Sequence, residues 1–141
     1  MITKIQSFTD VITNSSSTVF VMCEANAIYY NELENTNNCI SIEPITLDWL
    51  LNNPQEVEMV CDMLGIEISE ISTYHKFDWG NYGYWETPDK DAWETFLELH
   101  KDEITKIFEN LYWVDIEDHF EDADIVTDNA RDDAEWSDYR H

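Results

Sequence analysis

Positive charge is scarce in this sequence: seven Lys and Arg stand against 31 Asp and Glu, a formal net charge of −24 in 141 residues. A field of that sign repels phosphate backbones and anionic lipid head groups. Direct contact with nucleic acid or a membrane surface is therefore disfavoured, and a basic protein surface is the natural partner. Glycine is scarcer still in number. With only Gly65, Gly80 and Gly83 and no GxxxxGK[ST] string, the chain has no phosphate cradle. Cysteine is limited to Cys23, Cys39 and Cys61, an odd number, far apart and without a CxxC pair. Neither a disulfide framework nor a zinc site is indicated, and reduced thiols are expected. No apolar run approaches the ~18 residues of a membrane span. The opening MITKIQSFTD lacks the charged and apolar regions of a signal peptide, which predicts a soluble, unsecreted protein.

Against these absences stand six Trp, seven Tyr and six Phe. Disordered acidic chains are poor in aromatic and β-branched residues, so this chain folds. Its length matches one domain, and 43% hydrophobic residues supply a core. The reading is an α+β fold over 1–141. It has a small, mostly antiparallel sheet, an aromatic hairpin packed against one long helix at about 88–110, shorter helices, and an acidic C-terminal segment 115–141.

Strands are predicted at 2–8, 18–24 and 39–42 from their β-branched and aromatic content, with the turn-rich TDVITNSSS between the first two. Thr46 caps a short helix LDWLL. A second helix opens at Asn53-Pro54 and stops at Gly65, with Val57, Val60, Cys61 and Leu64 on one face. KFDWGNYGYW reads as a hairpin on a two-residue Gly80-Asn81 turn, placing Trp79 opposite Tyr82 and Phe77 opposite Tyr84 on an inward face, with Trp85 on the other. Thr87 and Pro88 open the long helix, whose stripe is Trp93, Phe96, Leu97, His100, Ile104, Ile107, Phe108 and Leu111. A last strand is expected at 111–116, and Trp136 and Tyr139 suggest that the tail docks.

The search for chemistry returns little. Ser15 to Ser17, the cysteines, His75, His100 and His119 lack any arrangement that would join a nucleophile to a base. Asp115, Glu117, Asp118, Glu121, Asp122 and Asp124 offer hard oxygen ligands with His119 among them, but the stretch from Asp115 to His141 has no glycine for a calcium loop. No catalytic residue, metal ligand or cofactor is assigned. Residues 55–76 imitate a helix-turn-helix, yet Glu67 and Glu70 occupy the recognition helix, so a structural helix-turn-helix or helix-turn-strand is preferred.

Charge itself is the remaining signal. Asp115 to Asp138 hold eleven acids against Arg131 alone, and residues 86–141 carry −14 where residues 1–85 carry −10. A globule of this length is ~37 Å across, and B-DNA of that length bears ~22 charges, so the protein's charge is comparable to that of the duplex it would displace. The expected partner-binding acids are Asp91, Glu94, Glu98, Asp102 and Glu109 on the long helix, with Asp115, Glu117, Asp118, Glu121, Asp122 and Asp124, and Trp85 as an apolar anchor. One helix offers only an acid per ~5.4 Å turn, so the two groups would have to lie side by side.

The string FTDVITNSSSTVF resembles an N-terminal element of small uncharacterised proteins of phages and mobile elements in gut bacteria. It carries no functional residue across. With the acidity, it makes the chain similar in composition to the DNA-mimicking inhibitors that phages direct against restriction, CRISPR or repair enzymes. That resemblance implies a non-enzymatic inhibitor in the bacterial cytoplasm that blocks a basic, nucleic-acid-binding host protein. Two alternatives stand beside it: an accessory phage protein whose acidity serves only solubility, and a divalent-metal enzyme built on Asp115 to Asp124.

Overall fold

The computed structural model describes residues 16–34, 38–80 and 82–140. The strands are β1 (Ser17–Cys23), β2 (Ile40–Pro44), β3 (Tyr74–Lys76), β4 (Gly83–Trp85), β5 (Leu111–Glu117) and β6 (Trp136–Arg140). The helices are α1 (Glu24–Leu33), α2 (Leu47–Leu51), α3 (Val57–Leu64), α4 (Lys90–Leu99), α5 (Lys101–Ile107) and α6 (Ala123–Asp133). The fold is α+β, with an antiparallel four-stranded sheet in the order β2-β5-β1-β6 and a separate β3-β4 hairpin. Two compact units result: Met1–Pro44 with Asn110–His141, and Ile45–Glu109.

In the first unit, alternation along β1 decides the packing. Phe20 and Met22 point to one face, where they meet Val114 and Ile116 of β5, Ile40 of β2, Ala27 and Tyr30 of α1, and Val126 and Ala130 of α6. Val19 and Val21 are buried on the opposite face, which also carries the stacked rings of Trp113 and Trp136 at 6.2 Å. Burying each of the larger side chains stabilises the unit by roughly 1.5–3 kcal/mol. The acidic tail, expected only to dock, supplies a helix and an edge strand. The predicted strand at 2–8 lies outside the described residues.

Tyr30 joins α1 to the end of α6: its buried hydroxyl donates to Asp133 Oδ2 at 2.7 Å. Burial above all, and then the Asp133 carboxylate, push this hydroxyl well above the ordinary tyrosine range. A raised folded-state value favours the neutral phenol in the native state. Its contribution is complete below about pH 10 and is lost as pH rises through the raised value. Base titration followed by circular dichroism is expected to show this alkaline loss, reduced in Tyr30→Phe, which is itself about 1 kcal/mol less stable at neutral pH. An unchanged alkaline limb in the variant would rule the contact out as its source.

In the second unit, Thr46 Oγ1 accepts from the Trp49 amide at 3.1 Å and starts α2, while Gly65, at φ 71, ends α3 in the left-handed region. The core combines Leu50, Met59, Val60, Trp93, Leu97 and Ile104. The expected continuous helix at 88–110 is instead two helices. Asp89, whose Oδ1 accepts from the Ala92 amide at 2.8 Å, caps α4 in place of Thr87. The chain turns at His100 (φ −106, ψ 18), whose ring packs 4.7 Å from Phe96 and faces Glu103. Residues 55–76 form a 3-10 turn, α3, a second 3-10 turn (Ile68–Glu70) and β3, so the recognition helix of a helix-turn-helix does not form.

Cys61 is buried, and burial first, with Asp62 and Glu70 behind it, pushes its thiol up to about 11. Cys23 is exposed. An aromatic disulfide reagent at neutral pH is expected to label Cys23 promptly and Cys61 only on denaturation; equal rates would contradict this packing.

Candidate acidic interaction site

Period-3.6 patterning turns Trp93, Phe96 and Leu97 of α4 inward and leaves Asp91, Glu94 and Glu98 exposed. Leu99 departs from that pattern, an apolar side chain 77% exposed at an outward position. Across from it, Leu47, Asp48 and Leu51 of α2 complete an open groove of about 660 Å³, which Thr95 and Lys101 also line. The floor is leucine and the rim is Asp48, Glu94 and Glu98 against a single base. That arrangement suits an apolar side chain flanked by Lys or Arg. Asp48, Leu47, Leu51 and Leu99 were not among the sequence candidates; the only local signal was a leucine at position 99 outside the helix stripe.

Asp102 on α5 and Glu109 just beyond it are exposed in the same unit. Trp85 is half-buried and packs edge-on against Tyr74 at 5.1 Å. The rest of the hairpin differs from expectation. Phe77 donates its amide to the Tyr82 carbonyl at 2.9 Å, so a four-residue loop, 78–81, replaces the two-residue turn. Asn81 itself lies outside the described residues. The register is shifted by two, which keeps each ring on its expected face. That face, however, is turned outward. Phe77 and Trp79 stack at 5.5 Å and an interplanar angle of 6°, Tyr84 lies 5.8 Å from Phe77 and Tyr82 lies 6.3 Å from Trp79, and all four rings are exposed. Gly83 permits the hairpin to close, because a Cβ there would collide with the His75 carbonyl and stand 2.6 Å from the Tyr74 ring.

The remaining candidates lie in the other unit. Asp115, half-buried on β5, has its carboxyl pushed up by burial, an effect opposed by Ser17 and Arg140. Glu117 ends β5 and pairs with His119 at 3.1 Å. Asp118 accepts from the Tyr139 hydroxyl at 3.5 Å. Glu121, Asp122 and Asp124 are exposed. The six carboxylates and His119 between Asp115 and Asp124 do not gather into one group. Among the described residues the sole metal-compatible group takes Glu117 and His119 from that segment and joins them to Cys39.

Charge that is uneven along the chain is even in space. The unit of Met1–Pro44 and Asn110–His141 holds 16 acids and 3 bases, net −13 over 76 residues, and Ile45–Glu109 holds 15 and 4, net −11 over 65. The helix acids belong to one unit and Asp115 to Asp138 to the other. On α6, Asp124, Asp128 and Asp132 form an exposed row with one acid per turn. None of the described helices is long and apolar enough to cross a membrane. Compared with protein-family models, with curated proteins and with solved structures, the chain matches none of them.

Proposed function

We propose that this chain is a non-enzymatic interaction protein that occupies a basic, nucleic-acid-binding surface of a bacterial host protein, in the manner of a phage DNA-mimicking inhibitor. The observation that carries the reading is the leucine-floored groove rimmed by Asp48, Glu94 and Glu98, in a chain of net charge −24. A long-range negative field speeds encounter with a basic surface, and a desolvated apolar contact then slows release. The outward-facing rings of the hairpin add large, rigid apolar surface of the kind that anchors protein interfaces. A second reading, that the acidity serves only solubility in an accessory protein, is favoured by the equal charge density of the two units.

A tagged pull-down from bacterial lysate at low and high salt separates the two. The inhibitor reading predicts a basic DNA-handling protein that washes off at high salt and is displaced by duplex DNA. Recovery of nothing, or of a salt-resistant virion component, overturns it in favour of the accessory role.

A further inference from the structure

Three side chains far apart in sequence meet at one end of the four-stranded sheet. Cys39 lies one step beyond the Ile40–Ile116 pair of β2 and β5, and its carbonyl accepts from the Glu117 amide at 2.9 Å. Residues opposed in this way carry their Cβ atoms to the same face, ~4.5–5.5 Å apart. His119 follows two residues later, with Nε2 3.1 Å from Glu117 Oε1. One thiol sulfur, one carboxylate oxygen and one imidazole nitrogen thus lie within 4.8 Å of one another. We propose that Cys39, Glu117 and His119 form a binding site for a borderline transition-metal cation, with zinc as the fitting ion.

The donor set selects the metal. Thiolate and imidazole are poor partners for magnesium and calcium, which take six or more oxygens, whereas zinc accepts sulfur, nitrogen and carboxylate oxygen at ~2.0–2.3 Å. Ligand atoms around a tetrahedral ion at those bond lengths stand ~3.3–3.7 Å apart. The observed cluster therefore needs a closure of about 1 Å, which the exposed His119 and half-buried Glu117 can supply by rotamer adjustment. Charge also balances: a thiolate and a carboxylate neutralise a divalent ion, and the thiol proton leaves to solvent as the sulfur–metal bond forms. Half-burial of Cys39 and the neighbouring carboxylate hold its thiol above the usual range, so the metal and not the protein supplies the driving force for ionisation. Three protein ligands leave a fourth tetrahedral position for water or for a side chain of a bound partner.

Cobalt(II) absorption and zinc calorimetry on the full chain test the site. One saturable zinc equivalent is expected, together with a near-ultraviolet thiolate-to-cobalt band and the intense visible bands of a tetrahedral centre. Cys39→Ser should abolish the thiolate band and weaken zinc at least tenfold. His119→Gln, at an exposed position, should weaken zinc similarly without touching the sheet, which guards against a folding defect in the cysteine variant. Asp132→Asn, at an exposed position of α6 in the same unit, should leave zinc binding unchanged. Absence of saturable zinc, a cobalt spectrum of octahedral oxygen type, or zinc heats indifferent to Cys39→Ser and His119→Gln would each overturn the assignment.

Discussion

Trp93→Ala is expected to lower stability by about 3–5 kcal/mol in urea unfolding followed by near-ultraviolet circular dichroism. Trp93 is fully buried, stacks on Phe96 at 5.5 Å, and donates its indole Nε1–H to the Leu50 carbonyl at 2.6 Å. Truncation leaves a cavity between α2 and α4 and removes one of the donors to that carbonyl, which still accepts from the Asn53 amide at 3.1 Å, so the lost bond adds about 1 kcal/mol to the cavity cost. Trp93→Phe keeps most of the volume but still loses the donor, so it should fall between wild type and alanine. Since domains of this size hold only ~5–15 kcal/mol in total, the alanine variant should be partly unfolded at 37 °C. A loss below about 1 kcal/mol would mean that α2 and α4 are not pinned through this ring.

Reversing the groove rim with Asp48→Lys, Glu94→Lys and Glu98→Lys is expected to weaken capture of the basic partner by more than about a hundredfold. Three rim contacts at about 0.5–1 kcal/mol each, turned from attraction to repulsion, supply roughly 3 kcal/mol, and each 1.4 kcal/mol is tenfold. The salt dependence should flatten along with the affinity. The informative control is Asp124→Lys, Asp128→Lys and Asp132→Lys on α6, which changes net charge by the same amount. If the α6 set weakens binding as much as the rim set, the acidity acts as a diffuse field and the groove is not the contact. If neither set matters, the inhibitor reading fails.

What could be read along the chain was local. Thr46, Gly65 and the stripe of α4 marked real helix ends and faces, because caps and periodicity act within a few residues. Helix α1 leaves no apolar stripe in the sequence, because only Ala27 and Tyr30 turn inward while Ile28, Tyr29 and Leu33 lie exposed. Helix α6 was missed because its inward face, Ala123, Val126, Thr127 and Ala130, is built of small residues among acids. The alternating aromatics of the hairpin carry the pattern of a core face in sequence; whether anything covers them is a tertiary fact. Glu94 and Glu98 could be named as outward acids, but the groove between them and α2 depends on how two helices pack. Cys39 and His119 stand 80 positions apart, and only the β2–β5 register brings them to one place.

The pairing of β2 with β5 has a further consequence for the order of assembly. These neighbours are separated in the chain by the whole of Ile45–Glu109, and β5 lies between β1 and β2 in the sheet. A chain emerging from the ribosome therefore completes its continuous unit while β1 and β2 still wait for the strand that joins them. Closing a loop of that length costs about 4 kcal/mol in chain entropy, so β2–β5 contact is late unless the intervening segment has already collapsed. Through that interval the apolar edge of β1, TVFVM, is available to any other nascent chain. Mutual repulsion between highly charged copies then works as a built-in chaperone, holding half-made sheets apart until β5 and β6 arrive.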